Sequence, residues 1–363
     1  MQSSGSAIRV TARRKQRNTI NVHLGVKYWN GRRCIVTEFD VNGDEFFFYI
    51  SEEGSKPRLN DLEKAIANEI CADLPQNKII NNLKALGSDL TSFLLQQDNS
   101  KAAEKDRQDL AKAISKTKGT VTYRLGGPIP VELLTFPTAI GGSGPFDQLL
   151  GGRPAARAQS GTRERSTNKS EAIFFHDDMI DTYGSGKVKK ALEVGFKGKV
   201  LPHGELLKND LNASYRELER LFQGDIASWA HFQCHSLPDT SPKKIRLTNN
   251  FEVDRYRFSN PGPHLVAIMI NTCSASRLGA QNAEGSWSEY FAGECGIPVV
   301  IGPICEVIDN NTTLFTEKFY QLLRKNSNIF SAFTKARHQC LISGDYTALV
   351  YRYVGPTSVL LKL

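Results

Sequence analysis

Two stretches of this 363-residue chain end in side chains that could do covalent chemistry. WAHFQCHS, residues 229 to 236, sets Cys234 beside His235, and LVAIMINTCSAS, residues 265 to 276, carries Cys273. A thiol within reach of an imidazole is the pairing for nucleophilic catalysis, because the ring moves the proton that the sulfur and the leaving group exchange. Both stretches open as apolar runs of strand length, so His235 and Cys273 each stand where a buried strand ends. On neighbouring strands they would face each other at the carboxyl edge of a sheet, where ligands bind in open α/β folds. Cys234 cannot join them, because adjacent side chains on a strand point to opposite faces. It is expected on the packed side with Ala230 and Phe232. Cys295, Cys305 and Cys340 are read the same way, as small buried hydrophobes. His231 and His203 are read as structural histidines.

The elements around these ends must supply the sheet. Residues 19 to 51 hold β-branched and aromatic runs broken at Asn30-Gly31 and Asn42-Gly43, which predicts an antiparallel meander with two-residue turns. From 59 to 116 apolar positions recur at three and four, as in KIINNLKALGSDLTSFLLQQ, which predicts helices. TVTYRLGGPIPVELLTF, 120 to 136, returns to strand-like text. Gly141 to Ser170 is dense in glycine and arginine and is expected to be a long surface loop, open to cleavage or docking. Beyond it AIFFHDD, KGKVLPH, IASWAHFQCH, HLVAIMINTC, IPVVIGPI and TALVYRYV read as strands. Between them ASYRELERLFQ, with Ser214 and Glu217 at capping-box spacing, WSEYFAGECG, NTTLFTEKFYQLLRKN and IFSAFTKARHQCLI read as helices. Strands alternating with helices predict an α/β fold with a mostly parallel sheet covered on both faces.

Composition narrows the function classes. Forty-six basic against 38 acidic side chains leave a net charge of +8, compatible with an acidic partner surface without naming one. The basic start, with Arg9, Arg13, Arg14, Lys15 and Arg17, lacks interleaved aromatics, so nucleic acid is not an expected partner. No apolar run reaches the length of a membrane span or signal-peptide core, and the chain is read as cytoplasmic. The 7 cysteines, scattered without CxxC spacing, read as reduced thiols. His176-Asp177-Asp178 is poor geometry for a closed metal site. Gly184-Ser185-Gly186-Lys187 fails as a phosphate loop, with Asp181 in place of the first glycine and Val188 in place of Ser or Thr. Neither metal nor cofactor is expected. Asp239, Glu284, Glu306 and Asp309 fall in loops or helix starts near the predicted edge, where they could shape a substrate pocket.

Taken in order, IPVELLTF (129 to 136), AIFFHDD, DIASWAHFQCHS, LVAIMINTCSAS, YFAGECGIPVVIGPICEVIDNNTTLFTEKFYQLLRKN and AFTKARHQCL resemble the CHAT domain. CHAT domains are a branch of the caspase-like cysteine peptidases that includes separase relatives and bacterial defence proteases. The resemblance spans residues 80 to 345 and rests on the ordered set, since neither CHS nor NTCS is specific alone. It implies a caspase-like α/β/α sandwich, with His235 as the family histidine and Cys273 as the nucleophile. It also implies an oxyanion site formed by the backbone N–H groups of Ser236 and Cys273. Two positions depart from the family pattern. Ser236 stands where glycine is common, so the turn there must accept a side chain. Asn271 stands where relatives specific for Arg or Lys carry aspartate, which implies a neutral or apolar P1 residue.

On this reading residues 1–75 form a basic tail and β-meander. Residues 76–170 form a helical and strand flank ending in the Gly/Arg-rich loop, and 171–363 a caspase-like catalytic core. The expected activity is a cysteine endopeptidase acting on a protein substrate in a defence or cell-death pathway, controlled by a protein activator, by the amino-terminal section or by loop cleavage. The rival is a catalytically silent module that keeps the fold for binding.

Overall fold

The computed structural model describes residues 18–29, 31–53, 55–70, 75–96, 101–125, 131–157, 169–177, 180, 185–204, 206, 209–237, 243–272, 286–304, 309–361 and 363. The expected meander is β1 (Ile20–Trp29), β2 (Arg32–Val41) and β3 (Asp44–Ser51). At its second turn Asn42 and Gly43 take φ of 57° and 87°, the left-handed pair that matches strand twist in a two-residue hairpin. The helical section follows as α1 (Ser55–Ile70), α2 (Gln76–Leu94) and α3 (Lys101–Lys116). In α2 the buried Ile79, Ile80, Leu83, Gly87, Leu90 and Leu94 recur at three and four, one stripe of the helix.

Strands β4 (Val121–Leu125) and β5 (Ala155–Arg157) lead into the regular alternation of the second half. There the elements are β6 (Ala172–His176), α4 (Ser185–Gly195), β7 (Val200–Pro202), α5 (Leu211–Phe222) and β8 (Trp229–Gln233). Next come β9 (His235–Leu237), β10 (Lys244–Leu247), β11 (Phe251–Asp254), β12 (Ala267–Asn271) and the short α6 (Trp287–Glu289). The chain ends with β13 (Val299–Pro303), α7 (Asp309–Asn326), α8 (Ile329–Ile342), α9 (Thr347–Val350) and β14 (Tyr351–Val354).

One 11-stranded sheet runs β3-β2-β1-β4-β5-β14-β13-β12-β8-β6-β7. Neighbours are antiparallel at β1/β2, β2/β3 and β13/β14 and parallel elsewhere. The meander joins it edge-on, Ile20 opposite Val121. Strand alternation makes the two faces of the second half. Phe174, Trp229 and Met269 pack under α4, α7 and α8, while Phe175, Phe232 and Ile270 pack against α5 and the segment around Phe291. The architecture is therefore the expected α/β sandwich with helices on both faces.

Local expectations are corrected in three places. Residues 141–157, expected as part of an unstructured loop, are folded and hold the buried Leu149, Leu150 and Arg153. Glycine serves close approach there: a Cβ on Gly152 would lie 2.2 Å from the Phe146 carbonyl oxygen. Residues 158–168 lie outside the described residues. The amino-terminal cap of α5 is Asp210, which accepts from the Ala213 N–H at 3.0 Å, and Ser214 sits inside the helix. The reciprocal capping box is instead at Ser286 and Glu289. TALVYRYV begins as the helical turn α9, because Asp345 accepts from both the N–H and the hydroxyl of Thr347, at 2.9 and 2.6 Å.

Candidate active site

The two strands leading to His235 and Cys273 are neighbours. β8 and β12 pair in parallel from Trp229 opposite Ala267 to Gln233 opposite Asn271, so both reach the carboxyl edge at one level. His235 and Cys273 each follow two residues beyond that last pair. Cys273 itself, with Asp239, Glu306, Glu284 and Asp178, lies outside the described residues. Cys234 is 2% exposed and packs with Ala230, Phe232 and Ile270, on the side that alternation assigns it. The Cys295 and Cys340 thiols are buried as well, and desolvation pushes Cys340 up to about 12, which makes it inert. Cys305 lies outside the described residues.

His235 does not end β8 as the sequence suggests. The strand stops at Gln233, the Cys234 N–H still donates to the Asn271 carbonyl at 3.2 Å, and His235 opens β9 in a second sheet, β11-β10-β9. The chain leaves the parallel ladder because a hairpin waits for it. Ile245, Leu247, Phe251 and Val253 alternate into the core around Asn249 and Asn250, which take φ of 56° and 54°. In the resulting register His235 lies opposite Arg246 and Ser236 opposite Ile245. Ser236 is thus an extended strand residue, a conformation that accepts a side chain without strain.

A salt bridge fixes this second sheet to the first. Asp177, fully buried just past β6, accepts from Arg246 Nε at 2.8 Å, while its own N–H donates to the Gln233 carbonyl at 2.9 Å. One residue therefore ties the end of β6, the end of β8 and the strand beside His235. Asp177→Ala is expected to cost about 1.5–3 kcal/mol, the range for a hydrogen bond to a charged group, because Arg246 keeps its charge and loses its partner. Urea unfolding measures that loss.

Behind the edge, a polar network fills the face toward α7. The Tyr320 hydroxyl accepts from Trp229 Nε1 at 2.9 Å and donates to His231 Nδ1 at 2.5 Å. The far ring nitrogen of His231 reaches Gln233 Oε1 at 3.4 Å. Asn271 Nδ2 donates to Gln233 Oε1 and Thr316 Oγ1, both at 3.1 Å, and Asn271 Oδ1 accepts from the Tyr351 hydroxyl at 2.9 Å. Asn271 is 4% exposed, so its amide is engaged inside the protein. Such a satisfied network holds the ends of β8 and β12 in one arrangement.

Burial pushes His231 down to about 3, so the ring is neutral at ordinary pH and is no proton shuttle. In the unfolded chain it titrates near the usual value of about 6.5, so below that pH the unfolded state binds a proton that the native state refuses. Stability contributed by this group is full above about pH 6.5 and falls toward pH 3. The expected slope is about 1.4 kcal/mol per pH unit, superposed on the other titrations, and should be absent in His231→Phe. Urea midpoints from pH 7 to pH 4 test it.

The other flagged histidines are structural in contact. His203 stacks on His176 with ring centroids 4.5 Å apart and reaches the His176 carbonyl at 3.1 Å. Gln233, Thr316, Tyr320, Tyr351 and the Asp177–Arg246 pair carried no warning in the linear sequence, since their partners are distant along the chain. The β10/β11 hairpin was legible in principle, as period-two apolar positions around Asn249-Asn250.

No protein-family profile matches the chain, and no curated protein matches it in sequence. Solved structures do match. Saccharomyces cerevisiae separase, in its complex with securin, superposes with a TM-score of 0.56 over 93% of this chain at 9% identity. The chain carries a caspase-like α/β fold. It spans 30% of that separase chain. The Arg-specific cysteine proteinase gingipain R matches with a TM-score of 0.44 and 12% identity over 74% of this chain and 70% of its own. In this caspase-like frame, β6, β8 and β12 are adjacent parallel strands and the edge beyond Gln233 and Asn271 is their shared carboxyl end. Among the described residues, no helix is long and apolar enough to cross a membrane.

Proposed function

We propose that this chain is a cysteine endopeptidase in which Cys273 is the nucleophile and His235 the acid/base. The observation that carries the reading is the register of β8 and β12, whose last pair stands two residues before His235 on one strand and two before Cys273 on the other. The Cys273 thiol gives its proton to His235 as the sulfur bonds to the scissile carbonyl carbon, and the carbonyl π pair moves onto the oxygen, which is held by the backbone N–H groups of Cys273 and Ser236. Collapse breaks the C–N bond, and the leaving amine takes a proton from His235. Water then attacks the thioester while His235 accepts its proton, and the acid product leaves with the thiolate restored.

Asn271 offers no carboxylate, and its neutral amide is occupied by Gln233, Thr316 and Tyr351, which supports a neutral or apolar P1 residue rather than Arg or Lys. The resemblance of the ordered motif set to CHAT peptidases supports a cytoplasmic protein substrate in a bacterial defence or cell-death pathway, with a protein activator.

The test compares wild type with Cys273→Ala on a peptide library and on a proteome digest, with candidate activators supplied. Cleavage by wild type that is lost in the variant is the expected result. Identical null cleavage by both folded proteins would leave a silent binding module instead.

A further inference from the structure

β9 ends the small sheet β11-β10-β9, and the phase of that sheet's hydrogen bonds decides which way the main chain of Ser236 faces. The Arg255 N–H donates to the Lys243 carbonyl at 3.1 Å, one step beyond the pair of Lys244 and Asp254. In an antiparallel ladder, opposite residues that exchange such bonds alternate with pairs that do not. Ile245/Val253 and Leu247/Phe251 are therefore bonded pairs between β10 and β11, and the main chain of Lys244 and Arg246 turns toward β9. There it meets Leu237 and His235. Ser236, opposite Ile245, is left with its N–H and C=O directed away from β10. Among the described residues no strand lies on that side, and neither group of Ser236 has a hydrogen-bond partner.

That edge lies beside the candidate site. The Cys234 N–H donates to the Asn271 carbonyl at the end of β12, at 3.2 Å. Main-chain N–H groups alternate in direction along an extended chain, so the Ser236 N–H faces the same way, over the end of β12. Cys273 follows Asn271 by two residues on that side. His235, Ser236 and Leu237 are all half-buried, so the edge is open to a ligand. It is also fixed from behind, since Ile245 is fully buried and Arg246, opposite His235, is held by Asp177 at 2.8 Å. A strand edge set in place before a ligand arrives binds without a cost for ordering its own backbone. Bare edges of this kind are templates for an added strand.

We propose that the substrate's main chain adds to the free edge of β9 as one more strand, the Ser236 C=O accepting a substrate N–H while the Ser236 N–H holds the scissile carbonyl. This rests on the peptidase reading above and gives it a substrate class. The substrate is an extended segment of polypeptide, recognised at this point through its backbone rather than its side chains. Ladder geometry names the N–H concerned. In antiparallel addition one substrate residue exchanges both bonds with Ser236, so the donor is the P1 N–H. In parallel addition the donor lies two residues further on, at P2′. Proline is refused at that position, because it has no N–H to give.

The test is a backbone scan of one peptide. A library peptide that wild type cleaves and Cys273→Ala does not is resynthesised with a single N-methyl group at each amide from P3 to P3′ in turn, which removes one donor and keeps every side chain. Binding of each fluorescently labelled peptide to the whole chain carrying Cys273→Ala is read by anisotropy, so that no bond is cut during the measurement. Methylation at P1 or at P2′ is expected to weaken binding by about tenfold, the loss of one hydrogen bond, and methylation at the adjacent amides to cost less. Sensitivity at P1 means antiparallel addition, and sensitivity at P2′ parallel addition. Hydrogen exchange of Cys273→Ala gives a second readout: the Ser236 amide is expected to exchange freely in the unbound protein and to be protected by the unmethylated peptide. A Ser236 amide already protected without peptide overturns the proposal. So does a peptide that is cleaved through Cys273 but loses no more affinity at P1 and P2′ than at the adjacent amides, a result that leaves the peptidase reading standing. If no peptide is cleaved in a Cys273-dependent way, the peptidase reading fails and strand addition by a substrate fails with it.

Discussion

Cys273→Ala should abolish peptide-bond cleavage, with kcat down by about 10⁶-fold, the scale on which loss of a catalytic nucleophile is felt. His235→Ala should be slower than wild type by about 10²–10⁴-fold, because it removes proton transfer and leaves the attacking sulfur in place. The ranking follows from the roles. Without sulfur no covalent intermediate can form, whereas without imidazole the thiol still ionises in part and water can protonate the amine. Substrate binding uses neither group, so KM should change little in His235→Ala and the loss should fall on kcat. Labelling by an electrophilic peptide separates this from a missing activator: wild type is modified at Cys273, His235→Ala more slowly and Cys273→Ala not at all. Equal labelling of wild type and Cys273→Ala would mean that another thiol reacts. The described alternatives are poorly suited, since Cys34, Cys234, Cys295 and Cys340 are all buried.

Much of this was legible in the linear sequence because it depends on local pattern. Asn42-Gly43 announces a hairpin by backbone preference alone, and the uninterrupted AIMIN run announces a strand buried on both faces. Alternation along WAHFQ correctly sent Cys234 to the core, even though the strand ends before His235. What pattern could not supply was pairing. Nothing in the linear text links Asp177 to Arg246, and only the β9/β10 ladder makes them the tie beside His235. Arg153 falls in the segment expected to be a long surface loop, yet its guanidinium straps that segment to four carbonyls. Glycine misled for the same reason: Gly151 and Gly152 resemble flexible text, but they are small so that other groups can approach.

The largest stability effect is expected at Glu132 and Arg352, a pair 220 residues apart. Both side chains are nearly sealed, at 1% and 2% exposure, and Arg352 grips the carboxylate with Nε and Nη2 at 2.8 and 3.0 Å. Burial alone would raise the Glu132 carboxyl, but the Arg352 charge and hydrogen bonds outweigh it and hold the group below the usual carboxylate range. Tyr123 on β4 donates to the same carboxylate, so the cluster bolts β4 to β14 across the short β5. Those three strands join the meander side of the sheet to the strands that lead to His235. Glu132→Gln keeps the shape and removes the charge, which leaves Arg352 and Arg337 buried together with no anion between them. The expected loss is about 3–5 kcal/mol, read from urea unfolding. Glu132→Leu combined with Arg352→Met should recover most of it, because the cost lies in the stranded charge rather than in the missing contact. If the single and double variants lose the same stability, the pair acts through packing. Recovery in the double variant would mean that the bolt is electrostatic and that the sheet keeps its order without it.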